Sequence, residues 1–360
     1  MDVFLINRLH YLMLRVLLFL SLFCLLAFAP PEQPGGALIA ARMRYLYQLK
    51  TQIDRDTWPG FAAGRYDLPL VYYTDSNCYV GNPTPKFLQR FPARLVAESP
   101  GLKIYRTQLI DSIPFHMETG MVLGSDTGSY LHRASFMHCS SPEITRRFIS
   151  DVTTTELWAT MVIHEYFHGY QFRHRPFMDY FEKKIAIGAD TLTRVYQAHS
   201  WYKNSVDQEN RFLLAALQSE QPGQVRAAVD SFFLYRNRRR QQTRQQLSPH
   251  LETFERVYET TEGTARYVEF SLYRHFVNKP PDALLQRQDT SYRSYSYFRK
   301  HTIDRDPWLY LSEKTHYHYA TGFNMARLLD KLQVPYKKRL FRESALSLED
   351  LLRQWQRSQR

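Results

Sequence analysis

The spacing of apolar positions divides the chain into two parts of different character. Leu38, Ala41, Tyr45 and Leu49 recur at steps of three and four, which predicts a helix over residues 37–56. Residues 57–142 lack that period. Pro and Gly punctuate them at Trp58-Pro59-Gly60, Asn82-Pro83-Thr84-Pro85 and Ser99-Pro100-Gly101, with short β-type runs such as Leu70–Tyr73 and Gly120–Leu123 between. From about residue 152 the helical period returns. Thr153–His174, Leu251–Val277, Tyr317–Leu332 and Ser347–Gln356 each read as a helix, and the charged stretch 177–247 carries no strand signal. The pattern predicts an α+β chain, with a small twisted sheet in residues 37–150 and a mostly helical part in residues 151–360.

Residues 1–29 stand apart. Val16–Ala29 is apolar but for Ser21, with Arg8 and Arg15 before it and Pro30, Pro31 and Pro34 after it. That is the layout of a secretory signal, and the run falls short of the ~20 residues of a spanning helix. Ala27-Phe28-Ala29 has the small-x-small form, but cleavage there would leave Pro30 first. A cleaved signal and an uncleaved anchor therefore both stay open. Either reading exports the chain to the periplasm or outside the cell, free or held to the membrane by its N-terminus. Export puts Cys78 and Cys139 in an oxidising compartment, where one disulfide and two buried thiols are equally compatible with the sequence. Three cysteines without a C-x-x-C pair exclude a disulfide scaffold and a thiolate zinc finger.

Hydrophobic residues make up 44% of the chain, which excludes a wholly disordered protein. The net charge is +12. Its densest basic run, Arg236 to Arg244, has few aromatics within it and no nucleic-acid-binding signature. It is expected to be a solvated helix face or loop, and no nucleic-acid partner is expected.

The strongest chemical signal is His164-Glu165-Tyr166-Phe167-His168, an H-E-x-x-H pentad on a predicted helix. One helical turn brings His164 and His168 onto one face, where two imidazoles can hold one zinc ion. Glu165 sits about 100° around the helix, where its carboxylate can take a proton from water at the metal. The histidines continue an apolar stripe of Leu157, Met161 and Phe172, so they are expected to face inward and to need a partner. A third ligand is sought on the Leu251 helix. Glu262 lies within its apolar stripe of Phe254, Tyr258, Thr261, Ala265 and Leu272, where a lone carboxylate would be costly. Gly263 and Ala265 beside it are small enough to let two helices approach. Glu269, two turns on, is the alternative ligand or a group behind a histidine.

Thr261-Glu262-Gly263-Thr264-Ala265-Arg266-Tyr267-Val268-Glu269 resembles the NEGFASYVE segment of aminopeptidase-N-like gluzincins. Tyr319-Ala320-Thr321-Gly322-Phe323, followed by Leu328-Leu329, resembles their later Y-x-K-G…L segment. With the pentad, three segments match in the family's order. The resemblance implies a zincin-like, thermolysin-like catalytic domain and one zinc per chain. His164, His168 and Glu262 would be its ligands, Glu165 its general base and Tyr319 its oxyanion donor, acting on a peptide or protein substrate. His168 and Glu262 are separated by far more than that family's short spacer, so residues 176–250 are read as a helical insertion over or beside the cleft. Arg266 stands where thermolysin-like enzymes place an Asp behind a histidine. The exopeptidase signature G-x-M-E-N is absent, and His116-Met117-Glu118-Thr119 is only its faint echo.

These readings predict an exported zinc metallopeptidase. The alternative is an exported zinc-binding or envelope-associated protein that keeps the core without turnover. Zinc ligation alone needs neither Glu165 nor Tyr319, which favours the hydrolase. The run Asp126-Thr127-Gly128-Ser129 matches an aspartic-protease motif, but it occurs once and reads as a hairpin turn. His316 is a secondary candidate for the oxyanion role. His132, His138 and His199 have no partner at metal-ligand spacing in the sequence.

Overall fold

Alternating β-branched and aromatic residues build the first part. Leu70–Tyr73 (β1) and Asn77–Gly81 (β2) form a hairpin around a polar turn in which Thr74 Oγ1 accepts the Asn77 amide at 3.1 Å. Arg94–Ser99 (β3) and Leu102–Gln108 (β4) form a second, turning through Gly101 at φ +76°, a left-handed conformation that suits glycine. Met117–Gly120 (β5) and Phe136–Ser140 (β6) complete a six-stranded sheet in the order β3-β4-β2-β1-β6-β5. The β1–β6 pair is parallel and all others are antiparallel. The chain is thus α+β, a mixed sheet followed by a mostly helical half.

This computed structural model describes residues 35–121, 135–184, 189–278, 280–293 and 316–359. The N-terminal apolar run, the Asp126–Ser129 motif, Val122, Leu123 and His132 lie outside them. Of the two units into which the chain divides, Met1–Ile39 is described only from residue 35, and Ala40–Arg360 carries the rest of the architecture.

The five helices expected over 37–56, 153–174, 251–277, 317–332 and 347–356 fall close to those bounds, and further helices lie between them. In chain order the helices are α1 (Gly36–Asp56), α2 (Pro85–Arg90), α3 (Pro142–Phe148), α4 (Thr155–Phe172), α5 (Arg175–Lys184), α6 (Ala189–Ala198), α7 (Ser200–Gln218), α8 (Pro222–Gln246), α9 (His250–Asn278), α10 (Ala283–Gln288), α11 (Tyr317–Lys331) and α12 (Leu348–Ser358). Tyr72 meets Trp158 of α4 at 5.8 Å between ring centroids, and Gly81 meets Met43 and Tyr47 of α1, so one sheet face is covered by α1 and α4. The other face carries a small core of Val71, Tyr73, Cys78, Val80, Phe87 and Phe136. The chain's many aromatics concentrate beneath α4, where fully buried Trp58 stacks on Phe341 and meets Phe167 edge-on.

One open alternative is decided and one expectation is corrected. Cys78 and Cys139 are both free and buried. The register sets Cys78 opposite Tyr73 and Cys139 opposite Tyr72, so the thiols point to opposite faces of the sheet with β1 between them, and no disulfide joins them. The basic run is only in part a solvated face, with Arg238 and Arg244 exposed. Arg236, Arg239 and Arg240 are buried, and they pair with Glu209 of α7, Glu255 and Glu259 of α9 and Glu349 of α12. Charges three and four apart share one helix face, and here that face meets carboxylates from three other helices. The described residues of the 176–250 segment are mostly helical, and α6 and α7 share a core with Leu251, Phe254 and Tyr258 of α9 and Tyr317 of α11.

Candidate metal centre

Helix α4 is anchored at both ends of its first turn. Thr154 accepts the Leu157 amide at 3.1 Å as an N-cap, and Trp158 Nε1 donates to Ser140 O of β6 at 2.8 Å. Two turns on, the helix presents His164 and His168 inward, 4% and 8% exposed. Helix α9 crosses α4 at this level. Gln171 Nε2 binds the two together, donating to Thr261 O and Thr264 Oγ1 at 2.8 Å each. Helix α11 lies against α9 where Gly263 faces Gly322. A Cβ on Gly322 would stand 1.9 Å from Glu259 O, so only glycine permits this approach.

Three atoms converge between these helices. His164 Nε2 and His168 Nε2 are 3.2 Å apart, and Glu262 Oε2 lies 3.5 Å from the first and 3.3 Å from the second. An ion with tetrahedral bonds of about 2.0–2.1 Å spaces its ligands about 3.3 Å apart, so the residues fit zinc. The tautomers agree. His164 Nδ1 is 3.0 Å from the acceptor-only carboxylate of Glu269, which places its proton on Nδ1. Gln171 spends its amino group on α9, so its Oε1 accepts from His168 Nδ1 at 2.9 Å. Both Nε2 lone pairs then point at one another and at Glu262 Oε2, which is buried without a hydrogen-bond partner. Three facing acceptors require a cation. Without a metal the charge must come from a proton. Burial opposes it, yet the Glu262 carboxylate pushes His168 up to about 9, and the imidazoles hold Glu262 well below the usual carboxylate range.

Glu269 meets His164 on its Nδ1 side and is therefore an orienting partner, outside the three-atom group. Arg266 pairs with Glu269 and supplies its counter-charge. Glu165 follows His164 and is half-buried. Its pKa is raised above the ordinary value by burial, with His168 and His164 pulling the other way. The Glu165 carbonyl accepts from Thr119 Oγ1, which ties the helix to the edge strand β5. The Tyr319 ring lies nearly parallel to that of His164, 6.2 Å away, and the Arg266 guanidinium sits 5.1 Å over it. Burial first, then the Glu262 charge, raises the Tyr319 phenol well above its ordinary pKa, so it stays an O–H donor. His316 stands at the N-cap of α11, its ring 6.1 Å from that of Tyr319.

Sequence reasoning missed two residues here. Gln171 lies one turn after His168, and that spacing was its only signal. His318 is fully buried, both ring nitrogens lack partners, and burial pushes it down to about 4, which keeps it neutral. His138 is not isolated either, since a second group of donors gathers it with Asp111 and His116.

Comparison with protein-family models, with curated proteins and with solved structures gives no match. Among the described residues no helix is long and apolar enough to cross a membrane.

Proposed function

We propose that the chain is an exported zinc-dependent peptidase with a thermolysin-like catalytic core. The convergence of His164 Nε2, His168 Nε2 and Glu262 Oε2 at zinc-ligand spacing carries this reading. Zinc held there would supply a Lewis acid that polarises a carbonyl and acidifies water. Glu165, whose ionised form burial disfavours, takes the water proton and passes it to the leaving amine. The Tyr319 hydroxyl donates to the developing oxyanion, a contribution of about 3 kcal/mol in comparable sites. Glu269 and Gln171 hold the imidazole tautomers. Among the described residues the outer edge of β5 has no strand partner, and Thr119 places that edge beside Glu165. An extended peptide adding to it as a further strand would lay its backbone along the site. The N-terminal apolar run supports export, with membrane association through that run if it is retained.

Two variants test the reading. Metal analysis of the purified chain should find zinc that Glu262→Ala loses, and Glu165→Gln should keep the zinc while hydrolysis of a peptide library falls at least 1,000-fold, roughly 4 kcal/mol. Turnover retained by Glu165→Gln would remove the general-base assignment. Zinc without turnover in the natural sequence would leave the binding-protein alternative.

A further inference from the structure

A second group of imidazoles and carboxylates meets on the opposite face of the sheet. His138 lies in β6, with Glu118 of β5 directly opposite. Tyr73 ends β1, His116 precedes β5, and Asp111 follows β4. One donor atom each from Asp111, His116 and His138 lies within 4.8 Å of the other two. His116 Nε2 is 2.9 Å from Asp111 Oδ1, and the Tyr73 hydroxyl is 3.1 Å from Asp111 Oδ2 and 2.9 Å from His138 Nδ1. The backbone fixes this arrangement. His116 N donates to Ser140 Oγ at 2.9 Å, and Ser140 N donates to His116 O at 2.8 Å. Tyr73 and His138 share the face of Val71 and Phe136, while Tyr72 on the other face meets α4. The sheet therefore separates this group from His164 and His168.

One atom in the group is left without a hydrogen-bond partner. His116 is 2% exposed, and its Nδ1 has no hydrogen-bond partner. The Glu118 carboxylate stands 3.7 Å away, beyond hydrogen-bond range. If neutral His116 donated Nε2–H to Asp111, its Nδ1 lone pair would face that carboxylate, acceptor against acceptor. A metal at Nε2 moves the proton to Nδ1, and the same carboxylate becomes its acceptor, the arrangement that orients metal-ligating histidines. Two imidazole nitrogens with one carboxylate suit a transition metal, whereas calcium and magnesium favour all-oxygen shells. Tyr73 and Asp111 also line a cavity of about 380 Å³ walled by Ile113, Ser140 and Phe148, which provides an entry path.

We propose that Asp111, His116 and His138 form a second metal site, for a divalent transition-metal ion of the zinc class, with Glu118 orienting His116. This site stands independently of the peptidase reading. Zinc, and cobalt as a coloured probe, would be titrated into the metal-free full chain, into His164→Ala and into Asp111→Asn, with far-UV circular dichroism checking the fold of each. Asp111→Asn keeps the side-chain shape and removes the ligand charge. His164→Ala should retain one bound ion, and adding Asp111→Asn should weaken that ion at least tenfold. An ion lost in Asp111→Asn but kept in Glu262→Ala would support this site even if the α4 group held nothing. A folded His164→Ala protein that binds no ion would overturn the proposal. So would one whose ion is indifferent to both Asp111→Asn and His138→Gln, leaving a hydrogen-bonded cluster only.

Discussion

An imidazole that serves a metal with one nitrogen is oriented by whatever engages the other. At His164 that partner is the Glu269 carboxylate at 3.0 Å, itself paired with Arg266, and at His168 it is Gln171 Oε1 at 2.9 Å. Removing the charge behind His164 should loosen the ion without touching a ligand. Glu269→Gln is expected to weaken zinc 10- to 100-fold in a chelator competition, with the fold intact. An unchanged affinity would mean that the His164 tautomer is set some other way. Tyr319 sits beside His164 with its phenol kept protonated, so in the proposed peptidase its contribution would belong to the transition state. Tyr319→Phe is expected to lower kcat about 100-fold or more with little change in KM. A fall carried by KM would reassign it to substrate binding. The pentad and the two later motifs were legible because each lies within three helical turns. The partners of Gln171 and Arg266 were not, since what a side chain meets across a helix interface is not written in its own spacing.

Helix α11 reaches the centre only because two glycines remove the Cβ atoms between it and α9. A methyl group on Gly322 would strike backbone, the Glu259 carbonyl, which no side-chain rotation relieves. Gly322→Ala is therefore expected to cost about 3 kcal/mol in denaturant unfolding and to push Tyr319 from the site, lowering activity even where the protein stays folded. Stability and activity both unchanged would show that the helices can part freely. The small residues at Gly263 and Ala265 already signalled a close crossing, though the partner glycine lies 59 positions later and could not be named from the sequence. Period gave α1, α4, α9, α11 and α12 to within a residue or two at each end, but it did not delimit the other helices. The same pattern recorded Leu70–Tyr73 as a strand but not its place in the middle of the sheet.

Across the molecule, α7, α8, α9 and α12 are joined by a buried network of arginines and glutamates. Arg236 alone contacts Glu209, Glu259 and Glu349 at 2.6–3.1 Å. Its loss would strand carboxylates in a dry interior, so Arg236→Met is expected to destabilise the fold by about 3–5 kcal/mol at pH 7. Burial opposes ionisation of Glu255 and Glu349, yet the surrounding arginines hold both well below the usual Glu range. They therefore bind fewer protons folded than unfolded. The stability they supply is complete above the ordinary Glu pKa of about 4.3 and is lost as pH falls below it. Thermal melts should show the natural protein losing stability below about pH 4.5, with the Arg236→Met deficit shrinking there. A deficit independent of pH would assign the loss to packing alone. Composition and local spacing by themselves determined the α+β division, the spans of α1, α4, α9, α11 and α12, the histidine pair and the glutamates beside which it had to find its partner. They act over one turn or one strand, where bonding geometry alone relates neighbouring residues. Only the tertiary structure decided that Glu262 joins the histidines while Glu269 stands behind them, that the cysteines face apart, that the basic run is in part buried, and that His138 meets Asp111 and His116. Each of these depends on helix crossing or strand register, which the packing of distant segments sets and no local period encodes.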